Sequence, residues 1–181
     1  RNELERIESI ANTKNVIAPI SIRVNPDVDA KTHPYISTGL KENKFGVTID
    51  EAISMYQYAS ASSSLNIVGI DCHIGSQLTS LPPFMEALDR LLVLIESLKQ
   101  KDIIIHHLNL GGGIGVCYKD ETPPHPKEYS AALIKRLKDY DMKIILEPGR
   151  AIAANAGVLI TKVEHIKQHH KKNFAIVDAA M

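Results

Sequence analysis

Apolar, strand-like runs alternate with amphipathic helical segments over most of this 181-residue chain. The strand-like runs are rich in β-branched residues and apolar nearly throughout, as are strands buried on both faces. They are VIAPISIRV (16–24), LNIVGI (65–70), IIIHHLNL (103–110) and KIILE (143–147). Such alternation predicts a parallel sheet with right-handed helical crossovers. A doubly wound sheet and a barrel both satisfy this pattern.

Helical segments precede the first of these runs and fill the intervals between them. Thr48 and Glu51 have the spacing of a capping box, and Pro82 with Pro83 marks another helix start. Apolar residues recur at helical spacing in every segment, which predicts one buried face per helix. These residues are Leu4, Ile7 and Ala11; Ile53, Tyr56 and Ala59; Phe84, Leu88, Leu91, Ile95 and Leu98; and Tyr129, Leu133, Leu137 and Tyr140.

Unusual motifs follow each of the four strand-like runs. RVNP, CHIGSQ, GGGIG and EPGR all fall at or just beyond the carboxyl end of a strand. Functional loops on one rim, strand after strand, are typical of a (βα)8 barrel, whereas a doubly wound sheet concentrates its site at one switch point. Four units of roughly forty residues amount to about half of such a barrel. We therefore predict an α/β fold, a partial (βα)8 TIM-type barrel.

The pattern changes after Arg150. Small residues lead into VLITKV (158–163), whose alternation suits an antiparallel strand, and FAIVDAAM (174–181) reads as a further strand. We predict a partial barrel domain over 1–152 and a crossover into a second, β-rich domain over 153–181. Because the chain starts at Arg1 within a helical pattern and stops on an apolar run, we expect both ends to continue in a longer protein.

Composition excludes several classes of partner. Lys+Arg and Asp+Glu are equal at 21 each, so the chain has no electrostatic footprint for nucleic acid. No apolar run reaches the roughly 18 residues of a membrane helix, and the N-terminus lacks the layout of a signal peptide. Two cysteines, Cys72 and Cys117, cannot build a disulfide framework, which favours a cytoplasmic location.

The glycine run at 111–115 matches neither nucleotide-binding fingerprint. G-x-G-x-x-G fails at its last glycine, and no Gly-Lys-Ser/Thr follows as in a Walker loop. Two interpretations remain open: bare amides that wrap a phosphate, or close packing of the loop against neighbouring backbone.

Two other motifs carry candidate ligand-binding groups. His73 and Ser76 could place an imidazole over a ligand and a hydroxyl on its phosphate, or His73 could be an ordinary hydrogen-bonded loop histidine. No G-x-S-x-G elbow surrounds Ser76, which disfavours a serine nucleophile. Glu147 and Arg150 either pair with each other or face a ligand with a basic ring nitrogen and an anion.

Other polar residues give weaker signals. The 31–46 stretch, THPYISTG included, is long enough for a mobile lid, and Lys44 within it is by default a solvated lysine. His106–His107 and His169–His170 are adjacent pairs that cannot share a helix face, so we predict no metal site.

Six segments in this order resemble the diaminopimelate decarboxylase family of alanine-racemase-like (fold type III) pyridoxal-phosphate enzymes. They are RVNP, THPYISTGLKENKFG, GIDCHIGSQLT, LNLGGGIGVCY, LEPGR and VDAAM, and the resemblance runs along essentially all 181 residues. It implies the second half of the barrel, a pyridoxal 5'-phosphate cofactor and a homodimer. It further implies decarboxylation of meso-2,6-diaminopimelate to L-lysine, the last step of lysine biosynthesis.

The resemblance also implies a role for each motif. His73 would stack on the pyridine ring, and Glu147 would meet its nitrogen. The cofactor phosphate would contact Ser76, Gly112, Gly113 and the Pro148–Gly149–Arg150 turn. Arg150 would also reach a substrate carboxylate, and Arg23 would lie near the ring.

Two parts of the family's site are absent from this sequence. The lysine that binds the cofactor as a Schiff base would precede Arg1, and the partner subunit's cysteine motif would follow Met181, so this chain alone is expected to be inactive. The alternatives are a decarboxylase of arginine, ornithine or a carboxylated polyamine, a non-catalytic pyridoxal-phosphate-binding barrel, and a phosphate-binding barrel without pyridoxal.

Overall fold

The computed structural model describes residues 1–28 and 45–179. It contains five helices and six strands in these residues. In chain order they are α1 (Asn2–Lys14), β1 (Ala18–Arg23), α2 (Ile49–Ser60), β2 (Leu65–Asp71), α3 (Pro82–Lys99), β3 (His107–Asn109), α4 (Pro126–Leu137), β4 (Lys143–Ile145), α5 (Arg150–Ala153), β5 (Val163–Lys167) and β6 (Phe174–Val177).

Strands β1 to β4 form one parallel sheet whose spatial order follows their order in the chain. The register pairs Ile22 with Ile70 and Ile70 with Leu108, and then Leu108 with Ile144. A doubly wound sheet reverses its strand order at a switch point, whereas a barrel adds each strand beside the previous one. The observed order is therefore that of a barrel sector.

The helix starts follow the local sequence. The Thr48 hydroxyl oxygen accepts a hydrogen bond from the backbone N–H of Glu51, and the N–H of Thr48 in turn donates to the Glu51 carboxylate. The capping box predicted there is thus confirmed, and α3 begins at Pro82 as its two prolines predict. A second capping box, His125 with Glu128, starts α4; the sequence analysis missed it because histidine is an unusual N-cap residue.

The main core lies between the sheet and the inner faces of α2, α3 and α4. Leu88, Leu91 and Leu98 of α3 are fully buried, and Tyr129 of α4 packs its ring 4.8 Å from that of Phe84. The predicted apolar stripes thus face the sheet. Tyr140 lies beyond the end of α4 and still packs against this core.

The observed strands differ from the predicted runs in their bounds, most of all β3 and β5. β3 is confined to His107–Asn109 of the predicted 103–110 run, since pairing with β2 begins only at Gly69 opposite His107; Ile103 and Ile105 are buried without joining the ladder. β5 begins at Val163, where the predicted VLITKV strand ends, and pairs antiparallel with β6. Residues 158–160 have no strand partner within the described part, and Val158 is 88% exposed.

No helix among the described residues is long and apolar enough to cross a membrane.

Candidate cofactor site

The motif residues meet at the rim formed by the carboxyl ends of β1 to β4. Arg23 ends β1, His73 lies two residues beyond β2, the glycine run follows β3, and Glu147 lies two residues beyond β4. Parallel strands bring such positions to one edge of a sheet, and the structure assembles them there. Lys44 and the 31–44 part of the predicted lid lie outside the described residues.

The glycine run packs directly against the loops on either side. A Cβ atom on Gly111 would lie 2.5 Å from the carbonyl oxygen of Cys72, and one on Gly112 would lie 2.1 Å from that of Glu147. A Cβ atom on Gly113 would meet the carbonyl oxygen of Gly75. Gly111 and Gly113 also have φ angles of 67° and 115°, which favour glycine. Close backbone packing therefore accounts for all three glycines without a ligand.

Not every N–H group in this loop has a hydrogen-bond partner in the described part of the chain. The N–H of Gly111 donates to Asn109 Oδ1 at 2.9 Å, and that of Gly112 donates to His73 Nδ1 at 3.3 Å. The N–H of Gly113 has no hydrogen-bond partner among residues 1–28 and 45–179. The Ser76 hydroxyl, half-buried in the loop after β2, likewise has none there. The packed loop and the phosphate-binding interpretation are therefore compatible.

The surroundings of His73 favour its neutral imidazole form. Partial burial lowers its pKa, as does the nearby Arg23 guanidinium, while the Glu147 carboxylate acts in the opposite direction. Because its Nδ1 accepts a hydrogen bond from Gly112, the ring hydrogen of the neutral form lies on Nε2. The predicted hydrogen-bonded loop histidine is thus observed, with the ring at the rim beside Glu147.

Glu147 is fixed at its backbone and at one carboxylate oxygen. Its N–H donates to the carbonyl of Gly111 at 2.7 Å, and its Oε1 accepts from Asn109 Nδ2 at 2.7 Å. Its side chain is otherwise exposed at the rim. The sequence analysis missed Asn109; an amide side chain immediately before the glycine run was the available signal.

Arg150 does not pair with Glu147 in the described structure. Its Nη1 donates to Gln77 Oε1 at 3.3 Å, and Gln77 also bonds both backbone groups of Val116. The intramolecular ion pair considered from the sequence is therefore absent between these two described residues. Gln77 has a φ angle of 60°, so its backbone is held in a conformation that non-glycine residues rarely adopt.

The turn before Arg150 has open space beside Gly149 and an apolar cavity beside Pro148. A Cβ atom on Gly149 would meet no atom of the described residues within 4 Å. Pro148 lines an apolar cavity of about 390 Å³ together with Gly111, Gly112, Tyr129 and Ile152.

Arg23 and Asn25 join the end of β1 to residues 45–47. The Arg23 guanidinium lies 5.4 Å from the centre of the Phe45 ring. Asn25 Nδ2 donates to the carbonyl of Phe45 at 2.7 Å, and the N–H of Asn25 donates to the carbonyl of Val47 at 2.8 Å. The end of β1 and residues 45–47, separate in the sequence, thus form one contact.

Neither cysteine has the properties of a reactive thiol at this rim. Burial raises the pKa of Cys72 to about 12, and Cys117 is exposed in the loop after the glycine run. No cluster of three or more potential metal ligands occurs among the described residues.

These groups define a class of protein. The rim of the parallel βα sheet carries four such groups. They are the imidazole of His73, the Glu147 carboxylate held at one oxygen, the Ser76 hydroxyl, and the backbone N–H of Gly113, which has no partner within the described residues. Such a set suits a phosphorylated heterocycle, with its ring beside His73, a basic nitrogen at Glu147 and its phosphate at the loop amides. The molecule is a sector of an α/β barrel that carries these groups at its rim.

The chain belongs to the pyridoxal-dependent decarboxylase family. The model of that family's pyridoxal binding domain matches residues 1–154. The chain is 60% identical to diaminopimelate decarboxylase from Haemophilus influenzae over 181 residues, covering 99% of this chain and 44% of that protein. It is 61% identical to the Vibrio cholerae enzyme over 180 residues, covering 99% of this chain and 43% of the relative.

A solved structure supports the same fold. Diaminopimelate decarboxylase from Helicobacter pylori, complexed with L-lysine, superposes with a TM-score of 0.87 at 47% identity, covering 98% of this chain and 44% of that one. The predicted partial TIM-type barrel and the family resemblance are both confirmed. The chain spans less than half the length of these relatives.

Proposed function

We propose that the whole protein containing this chain decarboxylates meso-2,6-diaminopimelate to L-lysine with pyridoxal 5'-phosphate. The observation that carries this proposal is that His73 and Glu147 share one rim and are both held by the glycine loop. His73 accepts a hydrogen bond from Gly112, and Glu147 bonds Gly111 and the flanking Asn109. The curated relatives cited above bear the name of this enzyme, and the solved relative contains L-lysine.

The residues at the rim fit this cofactor chemically. Neutral His73 offers a flat face for a pyridine ring, and the carboxylate of Glu147 offers a partner for a protonated ring nitrogen. Within residues 1–28 and 45–179, the unpaired N–H of Gly113 and the Ser76 hydroxyl are donors for a phosphate, and the nitrogen of Gly149 lies close to Gly112. Gly112 is a weaker donor, because its N–H already bonds His73.

Each residue then has a distinct task. The cofactor supplies an electron sink for the carbanion left by loss of carbon dioxide. Glu147 holds a proton on the ring nitrogen and so maintains the electron withdrawal. His73 covers one ring face, and Arg150, oriented by Gln77, binds a carboxylate of the substrate.

The remaining parts of the proposed site belong to other segments and to a second subunit. We assign the cofactor-attaching lysine and the cysteine-containing motif to residues outside this chain, the latter on the partner of a homodimer. The pyridoxal-binding barrel would occupy 1–152, and the separate β5–β6 pair would begin a second domain over 153–181. Two unbridged thiols support a cytoplasmic location.

The test measures turnover by the whole protein with meso-2,6-diaminopimelate, ornithine and arginine. We expect L-lysine and carbon dioxide from the first substrate and little product from the other two. Ornithine or arginine turned over as well as diaminopimelate would overturn the substrate assignment. Absence of the bound cofactor's absorption band would overturn the pyridoxal assignment and favour a plain phosphate-binding barrel. Bound cofactor without turnover of any amino acid would indicate a non-catalytic barrel.

The variant Glu147→Gln tests the role of the carboxylate. It keeps the size and the contact with Asn109 but removes the charge that holds the proton. We expect kcat to fall about 100-fold or more, with the cofactor dissociation constant changing less than about 10-fold. The matched control is Glu3→Gln, on the exposed side of α1. If Glu147→Gln retains nearly full turnover, the assigned role is wrong.

A further inference from the structure

The side chain of Asn109 joins two parts of the candidate site. Its Nδ2 donates to Glu147 Oε1 at 2.7 Å, and its Oδ1 accepts from the N–H of Gly111 at 2.9 Å. Its carbonyl accepts from the N–H of Cys72 at 2.8 Å, immediately before His73. One residue at the end of β3 therefore contacts the carboxylate, the glycine loop and the loop after β2.

These contacts require a carboxamide. The position needs a donor towards a carboxylate and an acceptor towards a backbone N–H at the same time, and an amide side chain provides both. An aspartate would keep the acceptor but bring a second carboxylate within 2.7 Å of Glu147, where two negative charges repel. An apolar residue of similar shape would satisfy neither partner.

The backbone reinforces the same arrangement. The N–H of Glu147 donates to the carbonyl of Gly111 at 2.7 Å, so Asn109, Gly111 and Glu147 form a closed set of three hydrogen bonds. Within this set, the Asn109 side chain alone restrains the Glu147 carboxylate. The second carboxylate oxygen has no hydrogen-bond partner among residues 1–28 and 45–179 and is open to a ligand there.

We propose that Asn109 is a positioning residue that orients the Glu147 carboxylate towards the cofactor's ring nitrogen and couples it to the glycine loop. This inference rests on the proposed function, because Glu147 acts there on the ring nitrogen. Without Asn109 the carboxylate is free to rotate, and it loses the hydrogen bond that fixes its Oε1. Both effects weaken its hold on a protonated ring nitrogen.

A double-mutant cycle in the cofactor-loaded whole protein tests this coupling. We expect Asn109→Ala to lower kcat about 10-fold to 100-fold, the value of one hydrogen bond to a charged group, with a smaller change in KM. In the Glu147→Gln background the same substitution is expected to lower kcat less than about 3-fold, because the group it positions is already disabled. Equal losses in both backgrounds would overturn the proposal.

A second readout is independent of turnover. With cofactor ¹⁵N-labelled at the ring nitrogen, we expect Asn109→Ala to shift the nitrogen resonance towards its unprotonated value. The matched control, Asn66→Ala on the exposed amino-terminal part of β2, is expected to leave the resonance and kcat unchanged. A resonance unchanged by Asn109→Ala, with only stability or cofactor affinity reduced, would make Asn109 a structural brace and overturn the proposal.

The outcomes separate this inference from the proposed function. If the wild-type protein binds the cofactor but does not decarboxylate diaminopimelate, the proposed function fails, while the nitrogen resonance still decides the role of Asn109. If the wild-type protein binds no cofactor, both proposals are overturned.

Discussion

The substitution Gly112→Ala tests whether backbone packing holds the rim together. The added Cβ atom would lie 2.1 Å from the carbonyl oxygen of Glu147, whereas real Cβ atoms essentially never come within 3.0 Å of such a neighbour. The two backbones must therefore separate by about 0.9 Å. Both are main chain, so no flexible side chain can move aside to accommodate the methyl group.

The size of the effect follows from this displacement. Overpacking of this kind costs about 1–3 kcal/mol, and the 2.7 Å hydrogen bond from Glu147 to Gly111 contributes about 1 kcal/mol more when it is lost. We expect the free energy of unfolding to fall by about 2–4 kcal/mol. A catalytic group moved by about 1 Å can lower turnover about 100-fold, so kcat is expected to fall on that scale.

The assay is urea unfolding of the whole protein, followed by turnover with saturating cofactor. Gly157→Ala is the matched control, because a Cβ atom there would meet nothing within 4 Å and should change neither quantity. A Gly112→Ala protein with wild-type stability and kcat would refute the packing argument. Normal stability with weakened cofactor binding alone would indicate that the glycine accommodates a ligand instead.

Three further changes probe other contacts of the rim and the core. Gln77→Ala removes the acceptor that holds Arg150, and we expect the KM for diaminopimelate to rise roughly 10-fold with a smaller change in kcat. Folding lowers the pKa of His73, so the imidazole takes up its proton at a higher pH in the unfolded chain, about 6.5, than in the folded one. Stability is therefore expected to decline from that pH down to the folded pKa, and His73→Asn should reduce the decline in urea titrations between pH 5 and pH 7. Tyr56→Phe removes the buried hydroxyl that donates to the carbonyl of Gly69 at 2.7 Å, and we expect it to cost about 1–2 kcal/mol in urea unfolding.

Each of these predictions has a matched control or a contradicting result. Gln57→Ala and Tyr118→Phe alter exposed residues of the same types and are expected to have little effect. An unchanged KM in Gln77→Ala would contradict the role assigned to that contact. A pH dependence unaltered by His73→Asn would place the titrating group elsewhere, and a neutral Tyr56→Phe would contradict the value given to its hydrogen bond.

The order of elements could be predicted because their signals are local. The capping box of Thr48 with Glu51 and the apolar stripe of α3 depend on residues close in the chain, and both are observed. Strand bounds were less predictable, because pairing depends on a partner. Ile103 and Ile105 have strand-like side chains, yet β2 provides partners only from His107 onwards. Similarly, residues 158–160 of VLITKV have no strand partner within the described part of the chain, and β5 starts at Val163.

The candidate site could be located from the sequence but not resolved in detail. His73, Glu147 and the glycine run fall at strand ends, so their meeting at one rim follows from parallel topology. Their partners do not, because the contact of Arg150 with Gln77 spans 73 positions and that of Asn109 with Glu147 spans 38. Such pairings depend on side-chain orientations that no local pattern encodes.

The packing of the glycine run has a consequence for mutational scanning and for enzyme redesign. A scan of every position would score Gly111, Gly112 and Gly113 among the least tolerant residues, a profile ordinarily read as ligand contact. Here the intolerance would arise because the backbone of the glycine run packs directly against the backbones of the loops on either side. Attempts to alter specificity would therefore do better to vary Gln77, whose side chain reaches the rim, and to leave the glycines untouched.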